Sequence, residues 1–227
     1  MMPPRLTRWI SRVRLVALAT QTMLARTAPH HARTAPHRIT GKVFLVTGAN
    51  SGIGYCLSQY LARRGATLYM ACRSKERAEA ARSAIVSESG SQAVHTIIAD
   101  CGVKADVRRV ISELGARESR LDCLVCNAGA LLHERQQTSD GHEVTYATHL
   151  LCGAYLLSKE AAPLLSRSET PRVLFVSSGG MYNTRWPGTA AGSATGAHAQ
   201  NYDGTIAYAF AKRGQVPVHA SPPRVRK

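Results

Sequence analysis

The stretch Lys42-Val43-Phe44-Leu45-Val46-Thr47-Gly48-Ala49-Asn50-Ser51-Gly52-Ile53-Gly54 decides the fold of this chain. Its first half is apolar and β-branched, which is typical of a buried strand. Its second half spaces glycines as GxxxGxG, and the segment 55–65 that follows has helical periodicity and ends at a glycine. A strand, a glycine-rich turn and a helix open a Rossmann unit. Because glycines let the backbone approach phosphates and a helix N-terminus offers free N–H groups, the stretch predicts a dinucleotide site.

The rest of the chain alternates between strand and helix patterns. Strands are predicted at 43–47, 67–71, 94–98, 122–126 and 172–177, and helices at 52–64, 74–89, 103–116, 141–166 and 205–215. Such alternation is typical of a parallel sheet with helices on both faces. We therefore predict an α/β fold with a Rossmann-like, doubly wound sheet in three layers. The stretch 179–203 is rich in Gly, Ala and Thr and predicts a long loop that could cover a substrate.

Tyr208 and Lys212 stand four residues apart, about 160 residues after the glycine-rich turn. On a helix, two such positions share one face. An ammonium beside a phenol favours the phenolate, and a tyrosine tuned in this way can give or take a proton at a substrate oxygen. A YxxxK pair also occurs by chance on solvated helices. Together with a dinucleotide site, however, it predicts hydride transfer between a nicotinamide and an alcohol or carbonyl.

The formal charge of +15 lies mainly at the two ends of the 227-residue chain. Residues 1–40 carry seven arginines and residues 212–227 carry five basic residues, both without any acid. The segment between them has 17 basic and 14 acidic residues, a net of +3. A nearly neutral core argues against nucleic-acid binding. No apolar run reaches 18 residues, so no membrane-spanning helix is predicted.

Residues 1–40 have the composition of a leader. Apolar residues fall on one face of a potential helix and arginines on another, which is typical of a mitochondrial transit peptide. The alternatives are a disordered basic tail on a cytoplasmic protein, or untrimmed sequence upstream of the true start. We divide the chain into a basic leader and linker at 1–40, an NAD(P)-binding Rossmann domain at 41–216 and a basic tail at 217–227.

The six cysteines do not predict a disulfide framework. Cys123 and Cys126 make a CxxC within an apolar strand pattern, and a zinc site would need a second such pair. Cysteines spread over predicted core elements favour buried free thiols in a reducing compartment. No metal site is predicted.

Four ordered motifs carry the chemistry of the chain. They are TGANSGIG at 47–54, Asn127-Ala128-Gly129 after the fourth predicted strand, Val176-Ser177-Ser178 after the fifth, and the pair Tyr208 and Lys212. In this order, over residues 41–216, they resemble the short-chain dehydrogenase/reductase family. Two finer stretches, at 177–181 and 203–205, look like the dehydrogenase/reductase SDR family member 12 type, whose substrates are poorly defined.

The resemblance implies a role for each motif. Tyr208 would be the acid/base, Lys212 would stabilise the phenolate and hold the nicotinamide ribose, and Ser178 would hydrogen-bond the substrate oxygen. Residues 127–129 would line the cofactor, and Asp100 would bond the adenine amino group. Taken without the family, Ser178 and residues 127–129 predict turns, and Asp100 predicts a helix N-cap. The implied cofactor-binding residues are Gly48, Asn50, Ser51, Gly52, Ile53, Gly54, Asp100, Asn127, Ala128, Gly129, Tyr208 and Lys212.

The end of the second predicted strand indicates which cofactor fits. An acidic residue there would bond the 2′-hydroxyl of NAD and repel a 2′-phosphate. The chain reads Cys72-Arg73-Ser74-Lys75 instead, and Arg73 can bind a phosphate with Lys75 nearby. The sequence therefore favours NADP over NAD, unless both basic side chains only begin a solvated helix.

One departure from the family lies in the helix after residues 127–129. Family members carry an Asn there that helps to place the lysine and a water molecule. Here His149 falls at that place, with an ambiguity of one residue that includes Thr148. A histidine can donate or accept a hydrogen bond, so it could keep this role or be a core residue. We count His149 with Ser178, Tyr208 and Lys212 among the candidate catalytic residues.

A second departure lies at the C-terminal end. Gly214 and Pro217 predict an interruption of the helix that carries Tyr208. Family members continue with two more strands, a Pro-Gly motif and a substrate-binding helix, which this sequence lacks. We expect a truncated product whose sheet ends on an uncovered edge.

Two functions of different classes stay open at this point. The first is an NADP-dependent oxidoreductase that interconverts a small-molecule alcohol and a carbonyl, for which a lipid-like substrate is one option. The second is a catalytically inactive nucleotide-binding remnant of such an enzyme. Related enzymes often pair through the helix that bears the tyrosine, so a homodimer is a further option.

Overall fold

The computed structural model describes residues 14–16, 39–184 and 202–220. Its strands are β1 Arg14–Val16, β2 Val43–Thr47, β3 Thr67–Cys72, β4 Val94–Ile98, β5 Cys123–Cys126 and β6 Arg172–Val176. Its helices are α1 Gly52–Ala62, α2 Lys75–Ser89, α3 Lys104–Arg117, α4 Val144–Tyr146, a π-helix at Ala147–Leu156, α5 Leu157–Leu165, a 3-10 helix at Gly179–Asn183 and α6 Gly204–Ala220. Most of the predicted leader and of the loop 179–203 lies outside the described residues.

The strands form one parallel sheet in the order β1-β6-β5-β2-β3-β4. From β2 the chain moves outward through β3 and β4, then returns to the other side of β2 with β5 and β6. This reversal defines a doubly wound, Rossmann-like sheet and confirms the predicted fold class. Each of the five predicted strands agrees with the structure within one residue at either end.

Both faces of the sheet are buried, which explains why the strands are continuously apolar. On one face, Val43 and Leu45 of β2 pack with residues of α3 and α5. On the other face, Phe44 and Val46 pack with residues of α1 and α2. Successive residues of a strand point to opposite faces, so a strand covered on both sides needs apolar residues at every position. Each large apolar side chain buried in this way contributes about 1.5–3 kcal/mol.

The segment predicted as one helix at 141–166 forms α4, the π-helix and α5 in succession. A π-helix is a wider turn than an α-helix and is frequent at functional sites. At Gly153 a Cβ atom would stand 1.8 Å from the carbonyl oxygen of Thr148, so only glycine fits this backbone path. The wide turn therefore depends on a residue without a side chain.

The predicted interruption of α6 at Gly214 and Pro217 is wrong, because the helix runs on to Ala220. A proline removes one helical N–H and clashes with the preceding turn, at a cost of about 3 kcal/mol. The buried face of the helix opposes this cost. Gln215 is 2% exposed, and Val218 packs against the core on the face of the sheet that includes Val43 and Leu45. Tertiary packing thus outweighs the local preference for a break.

The edge of the sheet beside β6 is paired with β1. The register joins Arg14 to Leu174, Leu15 to Phe175 and Val16 to Val176, counted between Cα partners. The expectation of an uncovered edge is therefore wrong for this part of β6. A short strand from the predicted leader occupies the position.

The six cysteines are free thiols, five of them buried. Cys56 is the exception to the expectation of burial, since it lies on the exposed side of α1. Over the described ranges, no group of three or more His, Cys, Asp or Glu side chains could hold a metal ion. No helix within those ranges is long and apolar enough to cross a membrane.

Asp122 joins the amino-terminal ends of the central strands. Its carboxylate, 6% exposed, accepts the Val43 N–H at 2.9 Å and the Ser168 hydroxyl at 2.6 Å. Burial opposes ionisation of this carboxyl. The bonds from Ser168 and Val43 and the guanidinium of Arg120 outweigh burial and hold the pKa of Asp122 below its usual value. The folded structure therefore stabilises the ionised form of Asp122 over the protonated form.

The replacement Asp122→Asn should lower the free energy of unfolding by about 1–3 kcal/mol at neutral pH, because one buried donor loses its acceptor. The folded-state pKa of Asp122 lies below the unfolded value of about 3.9. Stabilisation by the carboxylate is thus complete above that pH and is lost as the pH falls through the folded pKa. Urea titrations should show that the free energies of unfolding of the two proteins become equal as the pH falls into the acid range. Glu113→Gln, at an exposed pair with Arg109, is the control and should cost less than about 1 kcal/mol; equal losses would contradict this account.

Candidate functional site

A cleft of about 830 Å³ lies at the carboxyl ends of the strands, beside β2, which has β3 on one side and β5 on the other. Open α/β sheets bind ligands at this switch point. Thirteen of the fifteen predicted site residues line the cleft: Gly48, Asn50, Ser51, Ile53, Arg73, Asp100, Asn127, Ala128, Gly129, His149, Ser178, Tyr208 and Lys212. The other two, Gly52 and Gly54, belong to the glycine turn without lining the cleft.

The glycine turn packs directly on the residues that follow β5. A Cβ atom on Gly54 would lie 2.3 Å from the Gly48 carbonyl oxygen, and one on Gly48 would lie 2.9 Å from the Ala128 Cα. The Asn127 side-chain amide donates to the carbonyls of Thr47 and Gly48, at 2.8 and 3.2 Å. The Thr47 hydroxyl accepts the N–H groups of Asn127 and Ala128, at 3.0 and 2.9 Å. The Asn127 amide thus holds the turn in place.

The N-terminus of α1 opens into the cleft. Ser51 is its N-cap residue, with an extended backbone and no capping hydrogen bond from its side chain, and no acidic residue lies in the first turn. The first N–H groups of a helix lack intrahelical partners and carry the positive end of the dipole. Since Ser51 and Asn50 line the cleft, this end of the helix can receive a phosphate.

Basic side chains line the cleft where β3 ends. Arg73 has a side chain that is 70% exposed and stands 4.0 Å from the Asp100 carboxylate. Asp100 also accepts the Gly102 N–H at 2.8 Å, so it forms its own turn rather than capping the next helix. Arg77, in the first turn of α2, lines the cleft, whereas Lys75 does not. The second basic group at this position is therefore Arg77.

Tyr208 and Lys212 share one face of α6, beside the carboxyl end of β6. Lys212 is 3% exposed, and its ammonium donates to the Val176 carbonyl at 2.6 Å. The Nζ atom lies 5.5 Å from the centre of the Tyr208 ring. Burial lowers the pKa of Lys212 to about 8, so the side chain carries its charge below that pH and loses it above. The structure thus brings the predicted phenol and ammonium together.

His149 lies against both partners of this pair. Its ring meets the Tyr208 ring edge-on, with 5.1 Å between centroids. Its Nε2 stands between the N–H and the carbonyl of Ala130, at 3.1 and 2.9 Å, and the tautomer decides which bond forms. The Nδ1 atom is buried and has no hydrogen-bond partner among the described residues. Burial, followed by the nearby Lys212 charge, lowers the pKa of His149 to about 3, so the ring is neutral at physiological pH.

Two serines follow β6, and they differ in what they contact. The Ser178 hydroxyl accepts the Gly180 N–H at 3.2 Å and lines the cleft. As a hydroxyl, it still has an O–H to donate. Ser177 is buried and donates to the Lys212 carbonyl at 3.3 Å. Both serines line the cleft, but the Ser177 hydroxyl is engaged in joining α6 to the sheet, whereas Ser178 keeps an O–H to donate.

Three residues of this site were given no individual role from the sequence. Arg77 stands four residues after Arg73, a spacing that could have suggested a second basic group at the start of α2. Thr47 and Ser177 belong to two of the quoted motifs, but the sequence does not indicate what they contact, because each is a small polar residue at the end of an apolar strand. Their roles depend on which strands become neighbours.

A model of the family described as short chain dehydrogenase matches residues 42–225. The chain belongs to the short-chain dehydrogenase family. Members of this family are oxidoreductases with a nucleotide-binding, Rossmann-like fold, and the sheet and cleft described above are of that kind.

The curated relatives agree with the predicted member 12 type. Dehydrogenase/reductase SDR family member 12 of Bos taurus is 37% identical over 183 residues, which cover 79% of this chain and 55% of the relative. Retinol dehydrogenase 11 of Homo sapiens is 35% identical over 141 residues, which cover 62% and 44%. The chain thus spans about half the length of the member 12 protein that it matches.

Solved structures superpose on the chain. An uncharacterized protein from Mycobacterium paratuberculosis has a TM-score of 0.64 and 30% identity, covering 77% of this chain and 58% of that one. A short chain dehydrogenase from Escherichia coli CFT073, solved with NADPH, has a TM-score of 0.62 and 24% identity, covering 81% and 71%. The second likeness shows a shared fold alone.

The variant Gly54→Ala should weaken binding of NADPH on the order of tenfold or more, about 1.4 kcal/mol, because the new methyl group displaces the Gly48 carbonyl. Gly115→Ala is the matched control. Gly115 lies in α3 and does not line the cleft. A Cβ atom there would make an ordinary van der Waals contact with the Leu164 side chain, at 3.7 Å. Fluorescence titration compares the two variants with the wild type. Unchanged affinity in a folded Gly54→Ala protein would rule out the turn as the phosphate cradle.

Proposed function

We propose that this chain binds NADP and interconverts an alcohol and a carbonyl by hydride transfer. One observation supports the proposal above all others: the buried Lys212 ammonium stands 5.5 Å from the Tyr208 ring, in the same cleft as the glycine turn. A proton-transfer group and a dinucleotide cradle in one cleft are what hydride transfer at a carbon–oxygen bond requires. Family membership supports the general class of oxidoreductase.

The residues of the cleft fit a phosphorylated dinucleotide. At Gly48 and Gly54 the backbones approach so closely that a Cβ would overlap its neighbours, which suits a cradle made of backbone groups. Arg73 and Arg77 would hold the 2′-phosphate, and the residues at the end of β3, positions 72–75, include no acid. Three of the four charged side chains that line the cleft are basic, which favours an anionic ligand.

The chemistry at the substrate oxygen would belong to Tyr208. A bound nicotinamide would accept or supply the hydride. In oxidation, Tyr208 would take the hydroxyl proton of the alcohol, and in reduction it would give that proton to the carbonyl oxygen. Lys212 would stabilise the phenolate by its charge, and the Ser178 O–H would donate to the same substrate oxygen.

His149 would act as a neutral hydrogen-bonding group rather than as a proton carrier. Its pKa of about 3 keeps the ring uncharged over the range in which a tyrosine and a lysine exchange protons. Its Nε2 is engaged by Ala130, so the ring would orient its neighbours. The family's Asn at this position helps to place the lysine and a water molecule. We propose that His149 keeps only the first kind of role, the positioning of neighbouring side chains.

A lipid-like alcohol or aldehyde is the substrate class that we propose. The cleft is lined by Leu131, Val144 and Val176 in addition to the polar site residues, and Leu131 is 42% exposed. One relative, retinol dehydrogenase 11, is named for a lipid alcohol. Pairing of two copies through α6, and mitochondrial import by residues 1–40, stay predictions.

Arg73→Ala and Arg77→Ala should each weaken NADPH binding on the order of tenfold, about 1.4 kcal/mol, without changing NADH binding. The reason is that only NADPH carries the 2′-phosphate. Lys75→Ala is the control, because it removes a basic residue of the same segment that does not line the cleft. Titration of each protein with both cofactors gives the ratio of the Kd for NADPH to the Kd for NADH. An equal loss of affinity for NADPH and NADH would contradict the proposal that Arg73 and Arg77 bind the 2′-phosphate of NADP.

Tyr208→Phe should lower kcat on the order of a hundredfold or more, because the group that would transfer the proton is lost and Ser178 would only hydrogen-bond the substrate oxygen. NADPH should still bind with a Kd within about threefold of the wild type. Consumption of NADPH with a panel of aliphatic, aromatic and polyene aldehydes measures turnover. Tyr60→Phe, at a 47% exposed tyrosine of α1, is the control and should behave as the wild type.

Two results would change the assignment. Turnover that survives in Tyr208→Phe would exclude this tyrosine as the acid/base. Tight NADPH binding by the wild type without turnover of any alcohol or carbonyl would favour the second function, an inactive nucleotide-binding protein.

A further inference from the structure

Gln215 is a buried polar side chain to which the proposed chemistry gives no role. It is 2% exposed and ranks among the largest fully buried side chains. Its Nε2 donates to the backbone carbonyl of His149 at 2.9 Å. Its Oε1 is buried without a hydrogen-bond partner in the described part of the chain. A half-satisfied buried amide is less favourable than an apolar side chain of the same size, so stability alone does not explain a glutamine here.

Gln215 shares a helix face with the proton-transfer pair. Residues 208, 212 and 215 of α6 are spaced by four and three, so their side chains lie in one row. Lys212 binds the end of β6 through the Val176 carbonyl at 2.6 Å. Gln215, one turn further on, binds the π-helix. The same row of side chains therefore attaches α6 to the sheet and to the helix that supplies His149.

The carbonyl that Gln215 binds belongs to the residue whose ring contacts Tyr208. This ring has little free space, since a Cβ on Gly129 would lie 1.8 Å from its Cε1 atom. Its Nε2 is held at the backbone of Ala130. A displacement of the His149 backbone would therefore move the ring relative to Tyr208, 5.1 Å away between centroids.

The π-helix makes the position of this carbonyl sensitive to its partners. Hydrogen bonds from residue i to i+5 are less favourable than those of an α-helix, and the α-helical register is the competing state. A change of register in 147–156 would rotate His149 about the helix axis. A hydrogen bond from a neighbouring helix to one carbonyl of the turn opposes that rotation.

We infer that Gln215 is a positioning residue, which holds the His149 carbonyl and thereby keeps the His149 ring in contact with Tyr208. The inference rests on the proposed function of Tyr208. It goes beyond that function by assigning a third residue of α6 to the site, one that touches neither substrate nor cofactor.

The test uses the full chain with two near-isosteric changes. Gln215→Met keeps the length of the side chain and removes the donor, and Gln215→Glu places an oxygen against the carbonyl. Gln59→Met, at a helical glutamine of α1 that bonds Glu88, is the control. NMR spectra of histidine-labelled protein report the His149 ring, with His149→Asn identifying its signals. Both Gln215 variants should shift those signals, and Gln59→Met should not.

Kinetics supply the second measurement. In Gln215→Met, kcat for a carbonyl that the wild type reduces should fall about tenfold or more, with KM within about threefold. The pH dependence of kcat should also move, because the surroundings of Tyr208 change. A residue that only fills the core would lower the Tm without altering the pH profile or the His149 signals.

Unchanged His149 signals and an unchanged pH profile in Gln215→Met would overturn the inference. If that variant does not fold, Gln215→Asn, which keeps an amide on a shorter side chain, is measured in the same way. Failure of both variants to fold would assign Gln215 to the fold and would also overturn the inference. If the wild type turns over no carbonyl, the proposed function fails, whereas the NMR comparison still decides whether Gln215 positions His149.

Discussion

The close contact between the ends of β2 and β5 is the constraint on which the rest of the site depends. Two glycines allow the backbone of the turn to reach Ala128, and Thr47 and Asn127 exchange hydrogen bonds across the joint. These bonds satisfy buried polar groups that would otherwise be unfavourable. This contact forms the base of the cleft. The N-terminus of α1, the end of β3 and α6 lie around it. The cleft in which we propose a cofactor site is thus a consequence of how two neighbouring strands end.

One of the charged side chains that line the cleft, Lys212, is buried. Lys212 is nearly inaccessible, and the described residues provide it with the Val176 carbonyl rather than a carboxylate. Burial therefore lowers its pKa to about 8, and its charge helps to keep His149 neutral. A negatively charged phenolate or ligand nearby would compensate the ammonium and favour its charged form. The same charge would thus link the chemistry that we propose for Tyr208 to the binding of an anionic ligand in the cleft.

Much of the fold follows from local patterns, and the exceptions have tertiary causes. The strands were predicted within a residue because burial on both faces requires a continuous apolar run. The helix break at Gly214 and Pro217 was predicted from backbone preferences, which packing of Gln215 and Val218 outweighs. The π-helix at 147–156 could not be predicted, because its apolar residues have no period that distinguishes it from an α-helix.

The sequence by itself determined the alternation of strands and helices that predicts a doubly wound sheet, the glycine turn and the pair Tyr208 and Lys212, since each depends on residues close together in the chain. Only the tertiary structure decided that Arg77 rather than Lys75 lines the cleft, that Asn127 holds the turn and that Gln215 reaches His149. Those contacts join residues far apart in sequence, or depend on the direction in which a side chain leaves its helix. Neither the long-range contacts nor the side-chain directions can be predicted from local sequence, because both are set by the way in which strands and helices pack.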